Sequence, residues 1–78
     1  MKPTPNQAEQ AATLLGIDVF YLGNALRFES ERLFLEESRK VRSYERPNFG
    51  TARGLLWAAE AADEAWRMVA EAEEEAAA

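Results

Sequence analysis

The chain contains neither cysteine nor histidine among its 78 residues. The absence of cysteine excludes disulfides and thiol nucleophiles, and the absence of histidine removes the commonest general base and a usual metal ligand. No apolar run reaches the roughly 20 residues of a transmembrane helix, and the N-terminal MKPTPNQAEQ has no hydrophobic signal core. These absences predict a soluble, cytoplasmic protein that is not an enzyme and has no catalytic residue, cofactor or metal.

Proline and glycine are scarce, and their positions divide the chain into helices. The run Thr4-Pro5-Asn6-Gln7 matches a capping box with proline at the first helical position. Gly16 stands where a left-handed C-cap is expected, and Asp18 can cap the next helix. We therefore predict an all-α fold, a helix-turn-helix corner followed by a helical hairpin in a small helical bundle. The single domain, 1–78, would comprise the corner at 5–27, a helix at 28–46, a turn at 47–50 and the C-terminal helix at 51–75.

The segment from Val19 to Arg46 has no proline and allows two interpretations. Either one helix runs roughly 40 Å through it, or the helix breaks near Ser30, which can cap a new start. We expect the break, because shorter helices are the commoner case. An apolar stripe at helical spacing runs along this segment, formed by Leu22, Leu26, Leu33 and Tyr44 and widened by Val19, Phe34 and Val41.

The last helix carries a narrow seam of small and apolar residues at alternating three- and four-residue spacing, suited to close helix packing. Its members are Leu55, Ala58, Ala62, Ala65, Val69 and Ala72. A chain of this length buries only roughly 60% of its unfolded surface, so its own core is small. We therefore predict a homo-oligomer, a dimer, that forms through the last helix and the apolar stripe of 19–44.

Charge is unevenly distributed along the chain, whose net charge is −5. Residues 38–59 carry a net charge of +4, while 60–78 carry −6. The basic residues of the middle segment are Arg39, Lys40, Arg42, Arg46 and Arg53. Interleaved with Tyr44 and Phe49, they have a composition compatible with nucleic-acid contact. Two other interpretations stay open: cations in a last helical turn complement the helix dipole, and the acidic last helix can neutralise the segment internally.

Residues 11–26 resemble the helix-turn-helix of Fis-type and MerR-type transcription regulators. Ala12, Gly16, Ile17 and Leu22 stand at the spacings of the packing alanine, the turn glycine, the corner aliphatic and the anchoring leucine. The resemblance implies that the second helix is a recognition helix. Its exposed positions would then be Val19, Phe20, Gly23, Asn24 and Arg27, of which Asn24 and Arg27 have side chains suited to bases or phosphates.

Two functions follow from these observations. The first is a small DNA-associated regulator of phage or mobile-element type, which would contact nucleic acid through Asn24, Arg27 and the five basic residues of 38–59. The second is an acidic protein-binding module or inhibitor, similar in general character to anti-CRISPR and anti-restriction proteins. Its carboxylates would take the place of phosphates on a basic nucleic-acid-binding protein. They are Glu60, Asp63, Glu64, Glu71 and Glu73–Glu75.

Aromatic and apolar side chains near the corner and on the last helix are the candidate protein interface, either for a second copy or for another partner. They are Val19, Phe20, Tyr21, Trp57 and Trp66. Glu60 and Glu64 lie one helical turn apart, which suits a hard cation. Such pairs are more often a solvated helix face, so no metal site is predicted.

Overall fold

A computed structural model describes residues 1–77 of the chain and contains three helices over that range. They are α1 (Pro5–Leu15), α2 (Val19–Arg42) and α3 (Gly50–Ala77). The prediction of an all-α fold is confirmed for the described residues. Within 1–77, no helix combines the length and the apolar character that crossing a bilayer requires.

The boundaries of α1 follow from interactions between near neighbours. The Thr4 hydroxyl accepts a hydrogen bond from the backbone N–H of Gln7, and the side-chain oxygen of Gln7 accepts one from the backbone N–H of Thr4. The capping box is thus confirmed. Gly16 has φ +69°, and the Ile17 amide donates to the Ala12 carbonyl at 3.0 Å, the bonding pattern of a Schellman C-cap. Asp18 then accepts from the Phe20 amide at 2.8 Å and begins α2.

The expected break near Ser30 is wrong, because α2 is one helix from Val19 to Arg42. Ser30 is buried, and its hydroxyl donates to the Ala52 carbonyl of α3 at 2.7 Å. The helix also ends earlier than residue 46. Tyr44 adopts φ +60°, and the Glu45 amide donates to the Lys40 carbonyl at 2.9 Å, so a second Schellman motif closes α2.

Helices α2 and α3 form an antiparallel hairpin, and α1 packs mainly against α3. The contact of Phe20 with Trp66 marks one end of the hairpin, and that of Phe34 with Phe49 marks the other. The buried residues between the helices are small: Ala8, Ala12, Gly23, Ser30, Ala52, Ala59, Ala61, Ala62 and Ala65, with Leu22 as the one large member among the described residues. The helices thus approach closely but bury little apolar area.

The surfaces predicted for self-association are partly covered within the chain and partly exposed. Ala62 and Ala65 of the α3 seam are fully covered by α1 and α2. On α2, Leu22 is buried and Leu26 and Leu33 are half-buried against the other helices. Val69 and Ala72 of the seam and Val41 and Tyr44 of the stripe remain exposed, so self-association through these two surfaces stays a prediction.

The molecule is elongated, measuring 57 × 23 × 21 Å. Its Cα radius of gyration is 15.5 Å, whereas a compact domain of this length would have about 11–12 Å. The difference arises because α2 extends beyond α1 at one end of the hairpin and α3 extends beyond α2 at the other. The two ends of the molecule are therefore well separated, which matters for its charge.

Candidate binding surfaces

Asn24 and Arg27, the predicted base and phosphate contacts, lie at the surface of the hairpin, where Asn24 is exposed and Arg27 is half-buried. The Arg27 guanidinium forms an ion pair with Asp63 of α3, and it also donates to the Asn24 side-chain oxygen at 3.4 Å. Gly23, expected on the exposed face, is buried beside Asp63. The first turns of α2 therefore present the Phe20 and Tyr21 rings to solvent together with the exposed Asn24 side chain.

Of the five basic residues of 38–59, Arg39, Lys40 and Arg42 end α2, Arg46 lies in the following turn and Arg53 lies in the first turn of α3; we call these five the basic end. Arg39, Arg42, Arg46 and Arg53 are exposed there and form no ion pair with any of residues 1–77. Twelve residues of α2 separate Arg27 from Arg39, a distance of about 18 Å along the helix. The structure does not bring the basic end together with the corner.

Lys40 differs from its basic neighbours because Glu37 holds it. The Lys40 ammonium lies 3.0 Å from Oε1 and 2.6 Å from Oε2 of that carboxylate. The hydrogen bond to Glu37 raises the pKa of Lys40 above its ordinary value. The Glu37 side chain is largely covered, at 14% exposure, so this ion pair is partly buried. Four arginines therefore supply the free positive charge of the basic end.

Tyr44 lies between Arg42 and Arg46 in the chain and is 99% exposed. Its φ of +60° ends α2. This left-handed conformation is unfavourable for most residues, least so for glycine and then for asparagine and aspartate. Phe49, the other aromatic of this segment, is stacked on Phe34 at 5.5 Å between ring centroids. Tyr44 is thus the aromatic ring of the basic end that is open to a ligand.

The predicted apolar interface divides into covered and exposed members. Val19 is half-buried against the core, and Trp57 is half-buried with the Lys2 ammonium 5.2 Å from its ring centroid. Phe20 and Trp66 pack against each other, 5.6 Å between centroids, yet both keep nearly half of their surface exposed. Tyr21 is more exposed still, and it belongs to a larger surface that the sequence analysis did not identify.

That surface is the outer stripe of α2, formed by Tyr21, Phe28 and Leu35. The three side chains are 68%, 68% and 64% exposed. Seven-residue spacing places them on one side of α2, nearly opposite the side that faces α3. The seven-residue spacing is visible in the sequence, but the stripe of Leu22, Leu26 and Leu33 is the stronger apolar signal and alone predicts the buried face.

A row of carboxylates lies on the outer face of α3, and we call it the acidic row. It consists of Glu60, Glu64, Glu71 and Glu75, all exposed. Helical periodicity places the four within about 60° of one another, on the side opposite the buried Ala62. Glu64 lies 3.5 Å from Arg67, whereas the other three have no ion-pair partner within residues 1–77.

A cavity of about 300 Å³, open to solvent, lies between α1 and α2. Its walls are almost entirely apolar and include Ala11, Leu15, Leu22 and Leu26. No group of three or more side chains suited to hold a metal ion occurs among the described residues.

Comparisons with protein-family models, with curated proteins and with solved structures found no match for this chain.

Proposed function

We propose that this chain is a non-enzymatic protein-binding module of the adaptor or inhibitor kind, which presents the acidic row to a basic surface of another protein. The observation that carries the proposal is the acidic row itself. It continues for about 22 Å along α3, and three of its four carboxylates are unpaired within the part of the chain that the structure describes. These carboxylates are free to pair with cations of a partner.

A row of like charges affects the rate at which a partner associates as well as the stability of the bound complex. A one-signed surface accelerates encounter with a partner of opposite sign and disfavours partners of like sign. Most of the basic end lies toward the opposite end of a 57 Å molecule from Glu71 and Glu75, and charges in physiological salt are screened over about 8 Å. Arg53 is the exception, because it lies in α3 seven residues, or about 10 Å, before Glu60. The part of the acidic row beyond Glu60 therefore attracts a basic surface without interference from the basic end.

Apolar side chains near the corner supply the second component that stable interfaces need. Leu14 and Leu15 are 88% and 64% exposed, and Phe20 with Trp66 forms an aromatic pair that is nearly half exposed. Interfaces are anchored by buried apolar and aromatic groups, while charges at the rim contribute orientation and rate. The corner would anchor the partner and the acidic row would orient it.

Charge reversal of the acidic row tests the proposal. The variant Glu60→Lys, Glu71→Lys, Glu75→Lys is compared with wild type and with a control, Glu9→Lys, Glu31→Lys, Glu45→Lys, that has the same net charge. Each is immobilised, proteins bound from an extract of the source cells are identified, and their affinities are measured. We expect a partner with a basic surface whose affinity falls at least tenfold with the row variant only. Equal losses in both variants, or none in either, would refute the proposal.

DNA association is the second candidate, and the exposure of Tyr44 among four arginines favours it. Guanidinium groups bind phosphates, and an exposed aromatic ring can stack on an unpaired base. The contact would then be made by the basic end. It would not be made by α2 as a recognition helix, because Arg27, the one cation at the predicted contact positions of that helix, is paired with Asp63. The helix-turn-helix resemblance stays a prediction about fold.

Gel shifts on mixed-sequence duplex and single strands at low salt test this candidate. Replacing Arg39, Arg42 and Arg46 by glutamine should weaken binding to all sequences and reduce the salt dependence by roughly 0.9 slope units per lost duplex phosphate contact. Asn24→Ala is the control and should leave binding unchanged. No retardation of either probe by tens of micromolar wild-type protein would exclude this candidate.

A further inference from the structure

We propose that the outer stripe of α2 binds a second copy of this chain, with the two α2 helices antiparallel about a twofold axis at Phe28. The stripe, Tyr21, Phe28 and Leu35, makes no contribution to the core of the hairpin, and each side chain is about two-thirds exposed. Large apolar side chains concentrated on one exposed helix face are typical of an interface. The identity of the partner follows from symmetry and charge.

The stripe is complementary to itself when reversed. A twofold axis through Phe28 places Phe28 against its own copy and Tyr21 against Leu35, because both are seven residues from the centre. Arg32 lies beside the stripe, but its guanidinium pairs with Glu29 and Glu36 of the same helix. The helix–helix contact therefore covers no unpaired guanidinium from that position.

Charge selects the antiparallel orientation. In that arrangement the basic end of one copy lies at the level of the acidic C-terminal part of α3 in the other. A parallel arrangement would place the two basic ends together, with a net charge of +4 on residues 38–59 of each copy. Like charges that face each other oppose association, whereas opposite charges favour it. The acidic row remains outside on both copies, because α3 lies behind α2.

The area available predicts a weak, reversible dimer. A large aromatic side chain buries about 150–250 Å². If two-thirds of that area is buried at each of the six stripe residues, three from each copy, the dimer buries about 600–1,000 Å² in total. Stable interfaces usually begin near 1,200 Å². We therefore expect dimers at tens of micromolar and above, with monomers at lower concentration.

Single cysteines introduced into the full chain test both the surface and the orientation, because the natural sequence has no cysteine. Phe28→Cys should form a covalent dimer under mild oxidation at high protein concentration. Tyr21→Cys alone and Leu35→Cys alone should stay monomeric, but their equal mixture should form the 21–35 heterodimer while Phe28 stays in place. Arg67→Cys on the outer face of α3 is the control and should not cross-link.

The outcomes separate the possible occupants of the stripe. Cross-linking of Tyr21→Cys with itself would show a parallel pair and overturn the proposal. Cross-linking of Arg67→Cys as fast as Phe28→Cys would show unspecific collision and would also overturn it. No cross-link in either Phe28→Cys or the mixture, with both chains folded, would show that the stripe does not bind a second copy. None of these results depends on the acidic row, so this proposal and the proposed function can fail separately.

Discussion

At the residue scale, the contact between α2 and α3 depends on two small side chains, Gly23 and Ser30. A Cβ added to Gly23 would lie 2.6 Å from the Asp63 carboxylate and 3.5 Å from the Ala62 methyl, so this is a point of close approach. The Ser30 hydroxyl donates to the α3 backbone about two turns further along α2. The sequence suggested a helix cap at Ser30, because a serine hydroxyl can either cap a helix or bond to the backbone of a neighbouring helix. Only the position of α3 decides between them.

Tyr44 gives a prediction at the same scale. Its left-handed conformation costs about 1–2 kcal/mol, and its ring makes no compensating contact, since it is 99% exposed. Tyr44→Gly should therefore raise the free energy of unfolding by about 0.5–1 kcal/mol, after allowance for the greater freedom of glycine in the unfolded chain. Urea denaturation measures this, and Ser43→Gly, at φ −93°, is the control that should not stabilise. A Tyr44→Gly protein less stable than wild type would contradict the assignment of Tyr44 to the left-handed position.

At the scale of elements, the helix ends could be predicted and the helix faces could not. The Thr4–Gln7 capping box, the Gly16 turn and the Asp18 cap involve groups within five residues of one another, so local sequence determines them. By contrast, α2 carries apolar stripes on two nearly opposite sides. Which one packs inward depends on the small residues of α3, more than 20 positions away in the chain.

Ala12 tests the packing of α1. It is 2% exposed and lies in one cluster with Leu22 and Ala62. Ala12→Leu should overpack this contact and lower the free energy of unfolding by about 1–3 kcal/mol. Thr13→Leu, at the exposed neighbouring position, is the control and should change it by less than about 0.5 kcal/mol. Equal thermal melts for the two variants would show that α1 does not pack as described.

At the scale of the whole molecule, small side chains are inside and many large apolar ones are outside. The interior is made mainly of alanine, while Tyr21, Phe28 and Leu35 point away from it. Charge follows the long axis, with the basic end at the α2–α3 turn and carboxylates along the opposite end of α3. The sequence predicted the uneven charge correctly. It did not predict that the basic end and the corner would lie apart, because that separation depends on the continuity of α2.

The central claim is that the hairpin folds through its small residues and leaves the outer stripe of α2 free for binding. The most direct test is equilibrium urea unfolding of the variant Tyr21→Ser, Phe28→Ser, Leu35→Ser, at a concentration where it and the wild type both sediment as monomers. We predict a cooperative transition whose free energy of unfolding lies within about 0.5 kcal/mol of the wild-type value, as for surface substitutions. A loss of about 2 kcal/mol or more, or no cooperative transition, would show that the stripe belongs to the core and would contradict the claim.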